Sequence, residues 1–367
     1  MDHLKLFNNH SDYEAFVSGG TMVKPNVSHC IQENEVHYNP YTYTSMYFTT
    51  IALESGTISF DYRSGVTTTD ARYMEYSSDG GTTWTRTNNI NNQSVTITVN
   101  VSEGDKIMWR GDNDVLSFYN GDLDDYQGSF FSSTCEFDAM GNIMSLLYSN
   151  NFEGQTVIEN DFAFFTLFCG SDVEKECGIV NAKHLVLPAT TLTEACYSGM
   201  FIGCRDLITA PELLPATTLS NGCYGSMFDQ CTNLITAPEL PATTLAEGCY
   251  YSMFGQCESL TTAPQLPATT LDIYCYIMMF YGCTGLTEAP ELPATTLVDS
   301  CYNHMFDQCT NLNSITCLAT DISASNCTTY WLNGVAASGT FTKAASATNW
   351  RSGTSGIPSG WTVVDAS

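Results

Sequence analysis

The feature that most constrains this chain is an internal repeat of about 26 residues. The pattern L-P-A-T-T-L-x3-C-Y-x2-M-F-x2-C-x2-L-x2-A-P-x-L-P occurs five times, and its first cysteines are Cys196, Cys223, Cys249, Cys275 and Cys301. A unit this short cannot bury its own apolar face, whereas stacked units can share one core. We therefore expect a stack of units, and we name each unit by its first cysteine.

The spacing within a unit predicts a short strand followed by a short helix. Residues 234–237 form a brief extended run, and Pro238 ends it because proline cannot donate to a following ladder. Cys249, Met253 and Cys257 lie at i, i+4 and i+8, which places them on one face of an α-helix. Each unit is thus predicted to be a strand, a turn and a short helix.

The repeat loses its regularity at both ends, as capping units should. After Cys327 the spacing is kept, but Trp331 replaces the methionine of the pattern. The final segment, 338–367, is rich in Gly, Ser and Thr. We assign residues 141–337 to the stacked units, with capping units at each end, and 338–367 to a C-terminal β cap.

The first part of the chain has a different periodicity. Residues 46–140 contain short alternating runs, such as 57–62 and 95–101, that are separated by turns. Period two with frequent turns predicts an antiparallel β-sandwich. Residues 1–45 show no clear periodicity and are predicted to be an irregular leader or attachment segment.

The repeat pattern resembles that of a known family. In the Cys249 unit a proline-ended run, Leu240-Pro241, is followed by Phe254, Cys257 and Leu260. This arrangement resembles the BspA-type bacterial leucine-rich repeats, and the Pro-Ala-Thr-Thr-Leu variant is similar to proteins of gut Bacteroides-type bacteria and their phages. The likeness covers about residues 150–367 and implies a leucine-rich-repeat solenoid of strand, turn and short helix. The expected fold class is mixed β and α/β: an N-terminal antiparallel β-sandwich, this solenoid and a C-terminal β cap.

Sixteen cysteines suggest disulfides or zinc, but their spacing favours neither. On a helix the two cysteines of one unit would lie about 12 Å apart, beyond the limit of about 7 Å for a disulfide. Equivalent cysteines of neighbouring units would be about 5 Å apart, which permits a bridge, yet the second row has five members. Zinc needs four converging ligands, and C-x7-C supplies none. We expect buried, reduced thiols and no metal ligands among them.

Composition excludes several classes of partner. The chain has 39 Asp plus Glu against 12 Lys plus Arg, a net charge of −27 that repels phosphate backbones and anionic headgroups. No apolar run approaches the roughly 18 residues of a membrane span, and no secretory signal is visible at the start. We expect no nucleic-acid partner, no membrane insertion and, given reduced cysteines, assembly in a reducing cytoplasm.

One motif suggests a hairpin rather than an active site. Residues 77–84 read S-S-D-G-G-T-T-W and fit the Asp-box, S-x-D-x-G-x-T-W, which is familiar from sialidases. A sialidase would need several boxes on propeller blades and an arginine cluster, whereas this chain has one box and six arginines. We expect a turn in which Asp79 satisfies the backbone and Trp84 packs beneath it.

Two other short motifs leave binding open. Arg110-Gly111-Asp112 is the integrin-binding tripeptide and could lie in a loop after Trp109; a chance occurrence is the alternative. A group of acidic residues could hold calcium, although no D-x-[DN]-x-[DN]-G loop is present, and a solvated loop is the alternative. This group consists of Asp112, Asp114, Asp122, Asp124 and Asp125. The expected cofactor set is therefore none, with calcium left open.

The sequence predicts no catalytic residues. It contains no G-x-S-x-G elbow, H-E-x-x-H, Walker loop or G-x-G-x-x-G, and its six histidines are scattered. A comparison among the units shows instead which positions vary, and the Cys275 unit has unusual apolar residues there, a pattern that can mark a contact site. The candidate binding residues are Tyr251, Tyr274, Ile277, Met278, Tyr281 and His304. Packing against the N-terminal domain or another subunit is the alternative explanation.

These observations predict a non-catalytic recognition or adhesion protein. The resemblance to surface adhesins, without a visible export signal, favours a phage virion surface protein, fibre or tail-associated, that binds a bacterial surface glycan or protein. Its N-terminal part would attach to other virion proteins, and we expect a homo-oligomer. The alternatives are an extracellular or cell-surface bacterial adhesin whose signal peptide has been removed, and a purely structural capsid or tail decoration protein.

Overall fold

The computed structural model describes residues 41–62, 72–88, 95–114, 116–119, 126–168 and 177–366. The chain divides into two compact units, Met1–Thr42 and Tyr43–Ser367, and nearly all described residues belong to the second. Residues 1–40 of the predicted leader, 1–45, lie outside the described residues.

Strands dominate the described residues, at 28% of the structure against 3% helix. The helices are α1 (Tyr41–Thr44) and α2 (Ser145–Tyr148), and a 3₁₀ turn covers Ser149–Asn151. The strands are β1 (Phe48–Ala52), β2 (Gly56–Tyr62), β3 (Tyr73–Ser77), β4 (Thr85–Asn88), β5 (Val95–Val101), β6 (Lys106–Asp112), β7 (Ser117–Tyr119), β8 (Tyr126–Gly128), β9 (Phe130–Ser133), β10 (Phe137–Asn142), β11 (Ile179–Val186), β12 (Ser314–Cys317), β13 (Thr340–Lys343) and β14 (Thr362–Asp365). No helix in the described part of the chain is long and apolar enough to cross a membrane.

The N-terminal strands form a mixed sheet and a smaller antiparallel one. The larger sheet has the order β11-β10-β1-β6-β3-β4, and the smaller has the order β5-β2-β9. Their core includes Phe131 of β9, whose ring lies 5.3 Å from that of Phe48 in β1 and 5.2 Å from that of Trp109 in β6. The described strand pairings of the predicted sandwich, β1 to β10, are antiparallel. The larger sheet as a whole is not, because β11 pairs in parallel with β10. This strand follows residue 140 and lies in the segment assigned to the repeat.

The predicted leucine-rich-repeat solenoid of strand, turn and short helix is wrong, because no described repeat unit contains a helix. We call the stretch from the residue before the first cysteine to the second cysteine the turn segment of a unit. Along it, alternate amides close short turns, as when Met200 N donates to Tyr197 O at 3.2 Å. The amides between them bind the next unit, as when Phe201 N donates to Met227 O at 2.9 Å. An α-helix would instead satisfy its amides internally with i→i−4 bonds.

The turn segments mimic a helical pattern because they also bury residues every four positions. In the Cys196 unit the buried residues are Cys196, Tyr197, Met200, Phe201 and Cys204. The residues before each buried group, Ala195, Gly199 and Gly203, have φ of 49°, 60° and 70°. This left-handed conformation cannot continue a right-handed helix. The i, i+4, i+8 spacing is therefore shared by an α-helix and by this chain of turns.

Neighbouring units are joined by two ladders of stacked rings. One runs from Phe168 through the phenylalanine of each unit to Phe306, with centroids 4.9–5.6 Å apart. The other runs from Phe164 through the tyrosines to Trp331, with spacings of 5.4–6.1 Å. Trp350 stacks on Trp331 at 5.2 Å and covers this end of the ladder. The strands β12, β13 and β14 form a parallel sheet beside it.

The cysteines contribute a further link between units. All 14 described cysteines are buried and none forms a disulfide. The second cysteine of a unit points its thiol at a phenylalanine carbonyl of the preceding unit: Cys257 Sγ lies 3.1 Å from Phe228 O, and Cys283 Sγ lies 3.0 Å from Phe254 O. Burial raises the pKa of the Cys309 thiol to about 12. These thiols are thus small buried donors that are protonated at neutral pH.

We expect the described cysteines to resist alkylation in the folded protein, because reaction requires an accessible thiolate. Iodoacetamide at pH 7.5 followed by peptide mass spectrometry should leave peptides that contain Cys249, Cys275 and Cys301 unmodified. Adding denaturant should make all three react at once. Modification of any of them in the folded protein at the rate of a free thiol would contradict the burial seen here.

Candidate functional site

The candidate binding residues lie on the outer side of the turn segments. Tyr251 and Tyr274 are exposed, at 44% and 40%, whereas Ile277, Met278, Tyr281 and His304 are half-buried. Backbone hydrogen bonds of 2.9 Å place the relevant units side by side, from Ser252 N to Ile277 O and from Met278 N to Asn303 O. Residues from different repeats thereby come to one surface.

Sequence reasoning missed one residue of this surface. His304 N donates to Thr329 O at 2.9 Å, and the neighbouring Tyr330 is 48% exposed. The ring centroids of Tyr330 and His304 are 5.2 Å apart. Tyr330 follows His304 by 26 positions, as His304 follows Met278, so repeat register could have found it had the irregular Cys327 unit been counted. We define the aromatic patch as Tyr251, Tyr274, Ile277, Met278, His304 and Tyr330; Tyr281 lies one turn beyond Met278.

Four members of the aromatic patch occupy a backbone conformation that disfavours large side chains. Tyr274, Met278, His304 and Tyr330 have φ of 57°, 56°, 53° and 50°. Other units have smaller residues at the equivalent positions, namely Gly222, Gly248, Gly199, Ser226 and Ser252. The left-handed conformation costs a residue with a Cβ about 1–2 kcal/mol, and retained strain of this kind clusters at functional sites. Phe162, Gln230, Gln256 and Gln308 adopt it outside the aromatic patch as well.

A buried carboxylate orients the histidine of the aromatic patch. Asp307 is 5% exposed, and its Oδ2 lies 2.6 Å from His304 Nδ1. Its Oδ1 accepts hydrogen bonds from Asn333 Nδ2 at 2.8 Å and from Gln308 Nε2 at 3.0 Å. Because Asp307 engages Nδ1, Nε2 is the ring nitrogen of His304 that is left for an external partner.

Asp229 is equivalent to Asp307 and lies three units earlier in the chain. At the position equivalent to His304, its unit has Ser226. Burial raises the pKa of Asp229 to about 6. The folded state therefore binds this proton more tightly than the unfolded chain, whose aspartate pKa is about 3.9. Stability attributable to this group is present at low pH and falls as pH rises from about 4 to about 6.

Replacing Asp229 with asparagine should remove that dependence. We expect D229N to unfold at a higher denaturant concentration than the parent at pH 7.5 and to differ little from it at pH 4. Denaturant titrations at several pH values measure this, and the exposed Asp272→Asn serves as the control, with little effect on the slope. Equal pH dependence in D229N and the parent would contradict the assignment.

The repeat region carries an excess of negative charge. Between Arg205 and Lys343 the sequence has no lysine or arginine but twelve aspartates and glutamates. Asp272 and Asp299 are exposed beside Tyr274, and Tyr274 N donates to Asp299 O at 3.2 Å. The field of these carboxylates disfavours anionic ligands at the aromatic patch.

The Asp-box is a hairpin turn, as predicted, between β3 and β4. Thr83 N donates to Asp79 Oδ1 at 2.9 Å and Ser77 Oγ does so at 2.7 Å. These hydrogen bonds, with those of Thr83 the strongest, lower the pKa of Asp79 to about 2. Trp84 Nε1 donates to Gly81 O at 3.1 Å. The aspartate is thus engaged in holding the turn.

The Arg-Gly-Asp tripeptide is not in a loop, and that expectation is wrong. All three residues lie within β6, which pairs with both β1 and β3. Arg110 Nε donates to Glu75 Oε2 at 2.6 Å, and its guanidinium lies 3.8 Å from the centroid of the Trp84 ring. The arginine is therefore engaged within the sheet and is not presented to a partner.

The acidic group considered for calcium is only partly described. Asp112 and Asp114 both form ion pairs with Arg72, so the cation beside these two carboxylates is an arginine side chain. Asp122, Asp124 and Asp125 lie outside the described residues. Within the described ranges, no group of three or more His, Cys, Asp or Glu side chains could hold a metal ion.

Comparisons with protein-family models, with curated proteins and with solved structures each find no match to this chain. The resemblance of the repeat to BspA-type proteins therefore stays a prediction.

Proposed function

We propose that this protein is a non-catalytic recognition protein that binds a molecule on a bacterial surface through the aromatic patch. One observation carries the proposal: Met278, His304 and Tyr330 occupy a left-handed position where the three units before them have Gly199, Ser226 and Ser252. Exposed aromatic residues are the side chains most enriched at binding hot spots. With the exposed Tyr251 and Tyr274, these side chains form a surface that a ligand would use.

The nature of the partner follows from the resemblance of the repeat sequence to proteins of gut Bacteroides-type bacteria and their phages. We propose the virion surface as the location, with other virion proteins bound by the N-terminal part, and a homo-oligomeric assembly. A bacterial surface adhesin and a purely structural decoration protein are the alternatives. The structural role predicts no binding through the aromatic patch, so one experiment separates it from recognition.

The test is binding of the fluorescently labelled full chain to a panel of gut Bacteroidales strains, measured by flow cytometry. We expect binding to at least one strain and its loss in Tyr251→Ala. The matched control is Leu213→Ala, which removes an apolar side chain of similar exposure, 43%, outside the aromatic patch. Absence of binding to every strain, or equal loss in both variants, would refute recognition through this surface.

A further inference from the structure

The position of His304 indicates which class of ligand the aromatic patch takes, and this inference rests on the proposed function. We infer that the aromatic patch binds a neutral saccharide, one hydroxyl of which hydrogen-bonds to His304 Nε2 while the sugar ring packs against Tyr330. Asp307 engages Nδ1, so Nε2 is the ring nitrogen left for a ligand, and a hydroxyl can either donate to it or accept from it. In the part of the chain that the structure describes, Nε2 has no hydrogen-bond partner.

Asp307 acts as a positioning residue for this nitrogen. Because its carboxylate is buried and is hydrogen-bonded to His304, Gln308 and Asn333, it holds the imidazole in one orientation. A fixed side chain loses less entropy on binding than a mobile one. No other described unit repeats this pairing, since Ser226 and Ser252 stand at the position of His304 in two earlier units.

The neighbouring rings suit the shape of a sugar. A pyranose has an apolar C–H face and hydroxyl groups around its rim, so it fits a site that combines aromatic faces with a few fixed polar groups. Tyr330 lies beside His304, with centroids 5.2 Å apart, and the exposed Tyr274 belongs to the unit before that of His304. The aromatic patch thus offers both elements within neighbouring repeats.

Charge separates a neutral sugar from anionic candidates. The twelve acids and the absence of lysine and arginine between Arg205 and Lys343 disfavour uronic acids, sialic acids and phosphates. A cationic peptide would pair with exposed carboxylates, and its binding would weaken steeply as salt is added, which the test below measures. The exposed Asp272 and Asp299 beside Tyr274 are suited to accepting sugar hydroxyls.

The test uses the full chain and a strain that it binds. Cells are treated either with periodate, which cleaves vicinal diols of surface glycans, or with proteinase K. We expect periodate to abolish binding and proteinase K to leave it. Because the ligand is neutral, raising the salt concentration from 50 to 500 mM should change binding less than two-fold.

A variant tests the role of the histidine. His304→Phe keeps a ring but removes Nε2, and should weaken binding about ten-fold. Thr269→Phe, which adds a ring at an exposed position outside the aromatic patch, is the control and should bind as the parent does.

Each contrary result has a distinct meaning. Binding that resists periodate but is lost with proteinase K would show that the ligand is not a saccharide, while recognition itself would stand. A steep loss of binding with added salt would show that the ligand is charged. Unchanged binding by a folded His304→Phe would remove His304 from the site. If the parent binds no strain, the proposed function fails, and this inference fails with it.

Discussion

Replacing Phe254 with alanine is expected to lower the free energy of unfolding by about 3–5 kcal/mol. The Phe254 ring is fully buried and stacks between those of Phe228 and Phe280, with centroids 5.6 Å away on either side. Its removal leaves a cavity in the middle of the ladder and weakens the contacts of the Cys249 unit with both neighbours. Equilibrium denaturation in guanidinium chloride, followed by tryptophan fluorescence and circular dichroism, measures the change.

The matched control for Phe254→Ala is Tyr251→Ala in the same unit. Because the Tyr251 side chain is exposed, we expect its loss to change the free energy of unfolding by no more than about 0.5 kcal/mol. A similar effect of the two substitutions would mean that the ring ladder does not hold neighbouring units together.

Replacing both Tyr274 and Tyr330 with glycine is expected to abolish cell binding without lowering stability. If each ring is a hot spot worth about 2 kcal/mol, the double variant should bind roughly a thousand-fold more weakly. Stability should be maintained, because glycine adopts the left-handed conformation without strain and this relief offsets the lost contacts of two exposed rings. Flow cytometry and thermal unfolding of the same preparations check both parts.

The reciprocal substitution tests the strain directly. Gly222 is equivalent to Tyr274 and has φ of 57°, and a Cβ added there would meet no atom within 4 Å. Gly222→Ala should therefore destabilise the protein by about 1 kcal/mol through backbone conformation alone. Greater stability of Gly222→Ala, or a marked loss of stability in the double glycine variant, would contradict the view that the fold tolerates these bulky residues rather than needs them.

The N-terminal part shows where local pattern sufficed and where it did not. Turn chemistry in residues 77–84 predicted the Asp-box hairpin, since Asp79 and the glycines act within a few residues of one another. The tripeptide at Arg110 was misplaced because strand pairing is decided by distant partners: β6 extends to Asp112 because β3 pairs with Arg110, Gly111 and Asp112. The parallel pairing of β11 with β10 was likewise invisible, because the two are joined through a long intervening segment.

The candidate site was partly foreseeable for a similar reason. Comparison between units selected Tyr251, Tyr274 and Met278, because a departure from an internal repeat is visible in the letters. His304 and Asp307 are three positions apart, a spacing that also makes side chains neighbours on an α-helix, so the sequence could have found this pair. Nothing local identified Asn333, which reaches Asp307 from the following unit. Tyr330 was missed because it belongs to the Cys327 unit, whose pattern is irregular.

The amino-acid pattern alone was enough to predict that 26-residue units share a core, which residues of each turn segment are buried, and that the cysteines pack as reduced thiols. These properties follow from apolar spacing and from the inability of a short unit to bury its own surface. The hydrogen bonds of the turn-segment backbone, by contrast, could be learned only from the folded chain. An α-helix and a series of turns bury the same residues at i, i+4 and i+8. In the helix every amide would bind within the unit, whereas here alternate amides bind carbonyls of the next unit. Those hydrogen bonds require a neighbouring backbone, which a local sequence pattern does not specify.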